Sequence, residues 1–337
     1  FFGDGDLARL ATPALRALKE TYPRARLYFL GIKRVNELIK SLAYIDEVLN
    51  FELSISPAAM IRDLKTLLYL KGLKIDLAIN MRTLVSKRSA MKFKFLLRLI
   101  GPKITAGRDT EARGDFFDIR IPESGVGDKG EMEYDLDIVR SLGGDIVRAR
   151  PDFPVDTASQ NKVRTMLGEH GIAEGEILIG VHPGGKPSHR WPAEKFAEAI
   201  DAINGKIKAR FIITGDGEDA STAKTIIGYS KAELIDATGV LSLGELGALI
   251  ARCNLYICND TAAMHIAAVL KVPLIAIFGP GYLKRFDPRN IMKDAIVISK
   301  GTACGPCEKK ACRSMECLEA IAPDEVAGAA LKLLKVI

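Results

Sequence analysis

The chain has 337 residues, 48% of them hydrophobic and 27% charged, with a formal charge of +6. That balance belongs to a globular protein rather than a disordered or fibrous one, and the length favours two domains. No apolar run reaches the roughly 18 residues that a membrane helix needs, and no secretory h-region is visible.

The chain opens "FFGDGDLARLATPAL" with no initiating Met, so a few residues are expected to precede it. Phe1-Phe2 is expected to end a strand, and Gly3 to Gly5 to form the turn into a helix that includes "PALRALKETY" (13–22). "RLYFLG" (26–31) and "DLAIN" (76–80) read as buried parallel strands, being short, rich in branched residues and closed by turn residues. From Arg82 to Arg108 come eight Lys or Arg and no acid, with apolar residues interleaved as "MKFKFLLRLI". Such a run is either a solvated helix face or a surface for an anionic partner, a membrane face or a phosphorylated lipid or glycan. Nucleic acid is disfavoured, because no recognition motif accompanies the charge.

"RARPDFPVDTASQ" (148–160) is the expected boundary: two prolines and polar residues separate a helical run ending near Gly143-Gly144 from one beginning by Lys162. This gives domains 1–155 and 156–337. Beyond it "ILIGVH" (177–182), "RFIITG" (210–215), "LYICN" (255–259) and "PLIAIFG" (273–279) read as strands. They alternate with the helical "PAEKFAEAIDAI" (192–203) and "LGELGALIARC" (243–253). Strand–helix alternation throughout implies an α/β fold of doubly wound parallel sheets.

In "CNDTAAMHIAAVLKVPLIAIFGP" (258–280) polar residues interrupt a core-like stretch. Asp260 is the expected N-cap of a helix starting at Thr261. The first N–H groups of that helix, around Ala262 and Ala263, suit a diphosphate, and His265 lies one turn further on the same side. A capped core helix with a satisfied buried His is the competing reading. In "IGVHPGGKPSHRWPAEKF" (179–196), Gly184 and Gly185 expose backbone N–H groups, while Lys186, His189 and Arg190 add donors and charge. This reads as a second phosphate-holding edge, against a bland alternative of an exposed basic turn. "ITGDGED" (213–219) offers Glu218 or Asp219 to ribose hydroxyls, unless it is only a solvated loop.

"NDTAAMH", preceded by "GVLSLGELGALIARC" and followed by "VPLIAIFGP", resembles the donor signature of family nine glycosyltransferases, the lipopolysaccharide heptosyltransferase group. "HPGGKPSHRWP" resembles that family's phosphate loop, and "TPALRALKETYP" its first helix. The resemblance implies a GT-B fold of two facing Rossmann-like domains, with the nucleotide-sugar on the C-terminal one and the acceptor on the N-terminal one. It implies Gly184, Gly185, His189 and Arg190 at the phosphates, and Glu218 with the backbone near Leu241 at the nucleoside. Asp260, Thr261, Ala262 and His265 are implied at the sugar and diphosphate. Two positions depart from the pattern: His189 stands where heptosyltransferases carry a Lys, for which Lys186 or Arg190 can substitute, and Ala262 stands where they carry a Gly.

The implied general base is an N-terminal Asp. Asp6 is the first choice, because Gly-Asp-Leu keeps the family order, and Asp4 the second; either can instead cap the helix. Asp-Gly-Asp also matches a metal motif of the other glycosyltransferase fold, but the cationic loops lie in the other half of the chain. The implied reaction is inverting and needs no metal or other cofactor. Its implied donor is ADP-heptose and its acceptor an anionic lipid-linked glycan. The implied location is the cytoplasm, peripheral at the inner face of the inner membrane.

Cys304, Cys307, Cys312 and Cys317 form C-x2-C-x4-C-x4-C, a spacing that suits a structural zinc or iron–sulfur site, while Cys253 and Cys258 read as buried hydrophobes. Two other functions compete: a nucleotide-sugar epimerase or hydrolase on the same fold, and a metal or redox sensor using the cysteines on a degenerate transferase. A dinucleotide oxidoreductase is disfavoured, because no G-x-G-x-x-G follows a strand.

Overall fold

The computed structural model describes residues 5–52, 56–125, 127–146, 149–307, 309 and 311–335, without the side chains of 5–10, 34, 37 and 38. The chain divides into two compact units, Phe1–Asp152 and Phe153–Ile337. The expected end of a strand at Phe1-Phe2 lies outside the described residues.

In the N-terminal unit, β1 (Tyr28–Gly31) pairs in parallel with β2 (Glu47–Asn50), while β3 (Leu77–Asn80), β4 (Ile104–Thr110) and β5 (Ile119–Glu123) form a second parallel sheet. Helices Gly5–Thr21 and Glu131–Ser141 cover a core of Ala14, Leu18, Phe29, Ala106 and Ile138. The basic run proves to be two different things. Lys87–Ile100 is one helix, opened by a reciprocal Ser86–Ser89 capping box and closed by Gly101 in the left-handed region. Arg108, counted with that run as surface, instead lies in the middle of β4 and is fully buried.

The reason is a cluster of opposite charge. Arg108 Nη2 donates to Glu123 at 2.5 Å, and Nη1 to Glu131 at 2.6 Å, Met81 O at 3.2 Å and Asp135 at 3.4 Å. Its guanidinium also lies 4.8 Å from the centre of the Tyr134 ring. One cation therefore faces three buried carboxyls. Burial pushes the Asp135 carboxyl well above its usual range, and the carboxyls of Glu131 and Glu123 push the same way against the pull of Arg108.

In the C-terminal unit, β6 (Leu178–His182), β7 (Arg210–Gly215), β8 (Leu234–Thr238), β9 (Leu255–Asn259), β10 (Leu274–Phe278) and β11 (Ile296–Ser299) form one parallel sheet ordered β11-β10-β9-β6-β7-β8. β9 and β10 are buried at every residue, as strands covered on both faces must be. Trp191 anchors the turn after β6: its ring is buried, meets Phe196 edge-on at 4.9 Å and donates Nε1–H to Ile321 O at 3.3 Å.

Arg108→Met strands three buried carboxyls and is expected to cost about 3–5 kcal/mol at neutral pH. Asp135→Asn should do the reverse. A raised carboxyl contributes stability below its unfolded pKa and loses it as pH rises through the folded value. The variant should therefore match or exceed wild type at pH 8, with the advantage shrinking as pH falls. Thermal unfolding of all three proteins across pH checks both signs.

Candidate functional site

The strand order reverses direction between β6 and β9, so the connections leaving these neighbours run to opposite sides and open a crevice at their carboxyl ends. Both sequence motifs sit at that point. Asn259, the last residue of β9, is fully buried and ties them together. Its Nδ2 donates to Pro183 O at 2.8 Å and Gly184 O at 3.1 Å, and its Oδ1 accepts the Trp191 N–H at 3.1 Å. Asn259 was not among the predicted site residues; its signal is the Asn directly before Asp260 at a strand end.

The glycines of the first loop answer to close approach. Gly185 has φ +125°, and a methyl there would lie 2.9 Å from Thr261 Cγ2, so the two loops meet at this residue. A methyl on Gly184 would lie 2.3 Å from Asp219 Oδ2. Asp219 is the inward partner of the predicted pair after β7, while Glu218 is exposed at the same edge. Arg190 braces this arrangement. Its Nε donates to Gly185 O at 2.7 Å, and its Nη2 lies 2.8 Å from Asp219 Oδ1. Burial raises the Asp219 carboxyl first, with Asp216 and Glu218 pushing the same way; the Asp216 N–H and Arg190 oppose them.

The second loop starts its helix one residue later than the sequence suggested. The N-cap is Thr261, not Asp260: Thr261 is extended at φ −144° and ψ 174°, and its carbonyl accepts the Met264 N–H at 3.1 Å. The helix runs Ala262–Val269 and receives no side-chain cap. Thr261 Oγ1 is buried and finds no hydrogen-bond partner among the described residues. Asp260, Thr261 and Ala262 are half-exposed at the edge, whereas Ala263 and His265 are buried, the His265 ring lying 6.4 Å edge-on from Phe286.

His189 also turns inward. It is buried, with Nδ1 3.0 Å from Ser188 Oγ, and its Nε2 lies 3.6 Å from where a methyl on Gly281 would stand. Asp260 Oδ2 lies 2.5 Å from that same point, so His189 and Asp260 converge on the loop after β10. Lys186 is exposed, and Leu241 is half-buried in the segment after β8. Asp4 lies outside the described residues, as does the side chain of Asp6, which is the second residue of helix Gly5–Thr21.

The cysteine segment packs against this site. Ser188 Oγ donates to Lys309 O, and the Cys307 N–H to Pro280 O at 2.7 Å. Cys304 is exposed, Cys307 and Cys312 half-buried, and Cys317 buried. Among the described residues no three His, Cys, Asp or Glu side chains form a group placed to hold a metal ion. Burial pushes the Cys253 thiol up to about 12 and Cys258 well above its usual value, as expected of buried hydrophobes. The Met315 N–H and Ser314 lower the Cys312 thiol.

Two units built on parallel sheets, one with a crevice at its strand-order reversal flanked by a glycine loop and a helix N-terminus, are the layout of the GT-B fold. The particular family follows from comparison. Residues 69–318 match the model of glycosyltransferase family 9 (heptosyltransferase), and the chain belongs to that family. Lipooligosaccharide heptosyltransferase 2 of Campylobacter jejuni is 30% identical over 172 residues, which are 49% of this chain and 53% of that protein. The match thus spans about half the length of that relative. A family 9 glycosyltransferase of Veillonella parvula superposes with a TM-score of 0.83 at 22% identity, covering 100% of this chain and 96% of that one. The heptosyltransferase WaaC of E. coli, solved with ADP, superposes at 0.68 with 17% identity, covering 98% and 96%. Both share the fold.

Gly185→Ala is expected to cost about 1–3 kcal/mol, from the positive φ together with the contact at Thr261. Differential scanning fluorimetry checks it. In native protein treated with iodoacetamide, Cys304 and Cys312 should be alkylated well before Cys253 and Cys258, as read by peptide mass spectrometry.

Proposed function

We propose that the chain is an inverting heptosyltransferase, taking heptose from an ADP-heptose donor held by the C-terminal unit. The observation that carries this reading is the crevice after β6 and β9, where backbone N–H groups of a glycine loop meet an uncapped helix N-terminus. The diphosphate lies across those N–H groups and takes a hydrogen bond from Thr261 Oγ1, the buried hydroxyl that has no partner among the described residues. Lys186 supplies exposed charge. Arg190 acts first by fixing the Gly185 carbonyl, so the loop is held in shape before a ligand arrives. Glu218, exposed at the end of β7, receives the ribose hydroxyls, near the backbone at Leu241. Asp260 faces sugar hydroxyls rather than phosphate, whose charge it would repel. The choice of ADP and heptose draws on the family and on the E. coli relative solved with ADP.

The acceptor is a hydroxyl of an anionic lipid-linked glycan, received by the N-terminal unit. Its oxygen attacks the anomeric carbon while the bond from that carbon to the diphosphate breaks on the opposite face. The proton passes to a carboxylate, Asp6 in this reading with Asp4 as the alternative. General-base help of this kind is worth about 10²–10⁴-fold. The charge developing on the departing diphosphate is met by the helix N-terminus and the glycine loop, without a metal ion in the step.

Titration calorimetry with ADP, UDP and GDP, with and without added Mg²⁺, tests the donor assignment. ADP should bind best, and equally without Mg²⁺. Thr261→Val should leave the ligand-free protein as stable as wild type or more so, because an unpaired buried hydroxyl is removed, yet weaken ADP by about tenfold or more. Asp6→Asn should bind ADP normally and lose about 10²–10⁴-fold in transfer. UDP or GDP selectivity would replace the donor, and no binding of any of the three would sink the reading.

A further inference from the structure

Two neighbouring helices of the N-terminal unit turn large apolar side chains to solvent. In the helix Pro57–Gly72, Met60, Ile61, Leu64 and Leu68 are 59, 57, 56 and 61% exposed. They recur at a spacing of three to four residues and so form one stripe. The only buried residues recorded on that helix are Ala59 and Leu70, so it offers more apolar surface to the outside than to its own core. In the helix Lys87–Ile100, Ala90, Leu96, Leu97 and Ile100 face inward. The outward stripe is Arg88, Met91, Lys92, Phe95, Arg98 and Leu99, with Met91 and Phe95 65 and 63% exposed. The two helices share one small core, in which Leu70 of the first packs with Leu96 and Ile100 of the second around Phe51.

Single exposed apolar residues are ordinary on a protein surface, but a stripe of them on each of two helices packed together is not. The charge around them has one sign. The two helices together carry eight Lys or Arg against one acid, Asp63. None of Lys87, Arg88, Lys92 and Arg98 has an ion-pair partner among the described residues. This pattern disfavours a second copy of the chain. A two-fold dimer sets a patch against itself, and here that would oppose like charges. No helix among the described residues is long and apolar enough to cross a bilayer, so the contact is with a surface and not through it.

We infer that this helix pair docks the protein on an anionic lipid bilayer. The exposed Met, Phe, Ile and Leu side chains enter the boundary between headgroups and acyl chains, while the flanking Lys and Arg lie against lipid phosphates. The inference uses only the N-terminal unit and stands whether or not the donor assignment holds.

The test is flotation of the full chain with vesicles of phosphatidylglycerol and phosphatidylethanolamine, set beside vesicles of phosphatidylcholine alone. Wild type should float with the anionic vesicles, less so as salt is raised, and stay behind with phosphatidylcholine. The pair Leu64→Ser and Phe95→Ser should lose about tenfold or more in partitioning, with melting temperature and nucleotide binding unchanged, because both side chains are exposed. The pair Lys92→Glu and Arg98→Glu should lose at least as much and remove most of the salt dependence. Apolar variants that float like wild type would overturn insertion. Failure of wild type to float would overturn the docking surface. Concentration-dependent dimerisation that Phe95→Ser abolishes, with no vesicle binding, would give the surface to a second copy instead.

Discussion

One buried amide holds the candidate site in shape. Asn259 ends β9, yet its side chain works in the neighbouring strand's loop, where it donates twice to carbonyls and accepts once from a backbone N–H. All three partners belong to a turn that would otherwise leave buried polar groups unmet. Such groups cost far more when left alone than they return when paired. The glycines, the Arg190 brace and the exposed edge at Asp260–Ala262 are arranged around this tie. A side chain of another shape could fill the volume of Asn259, but it could not serve both polarities.

The central strands were legible because they are continuous apolar runs between turn residues, and β7 and β9 begin and end where their sequences suggest. The other strands were harder to read for a physical reason. β2, β5, β8 and β11 lie at sheet edges, and β4, though central to its sheet, buries the polar Arg108 and Thr110, so "ITAGRDT" or "LIDAT" carries too weak an apolar signal to stand out. Within the site, the two loops were legible from glycine, proline and charge, whereas the direction of each side chain was not. His189 and Arg190 look alike in sequence as basic residues of one turn. The fold buries the first and pairs the second with Asp219, which depends on the distant β7 loop. The one-residue shift of the helix start has the same origin: Asp260 caps well in isolation, but the Thr261 carbonyl is the one positioned to accept the first helical bond.

Charge is spent unevenly over the molecule. Arg108 vanishes into a carboxyl cluster, and much of the capacity of Arg190 is taken by a carbonyl and a carboxylate. The net charge of +6 therefore understates how cationic one particular surface is. The helix Lys87–Ile100 has five Lys or Arg and no acid, and its apolar residues are divided between an inner and an outer face. The buried Arg108 cluster sits in the same unit, so a single domain uses arginine in opposite ways, as an internal counter-ion and as an outward-facing probe.

The strand order has a kinetic consequence. β6 and β9 are neighbours in space, but Asn259 and its carbonyl partner Pro183 are 76 residues apart in the chain. Between them the polypeptide completes β7, β8 and the helices that cover them. Closing so long a loop carries an entropic cost that only the completed pairing repays. The ribosome must release everything from 178 to 259 before the crevice has two walls. Through most of the synthesis of this half, the first glycine loop exists without the partner that shapes it, and the binding edge is among the late products of folding.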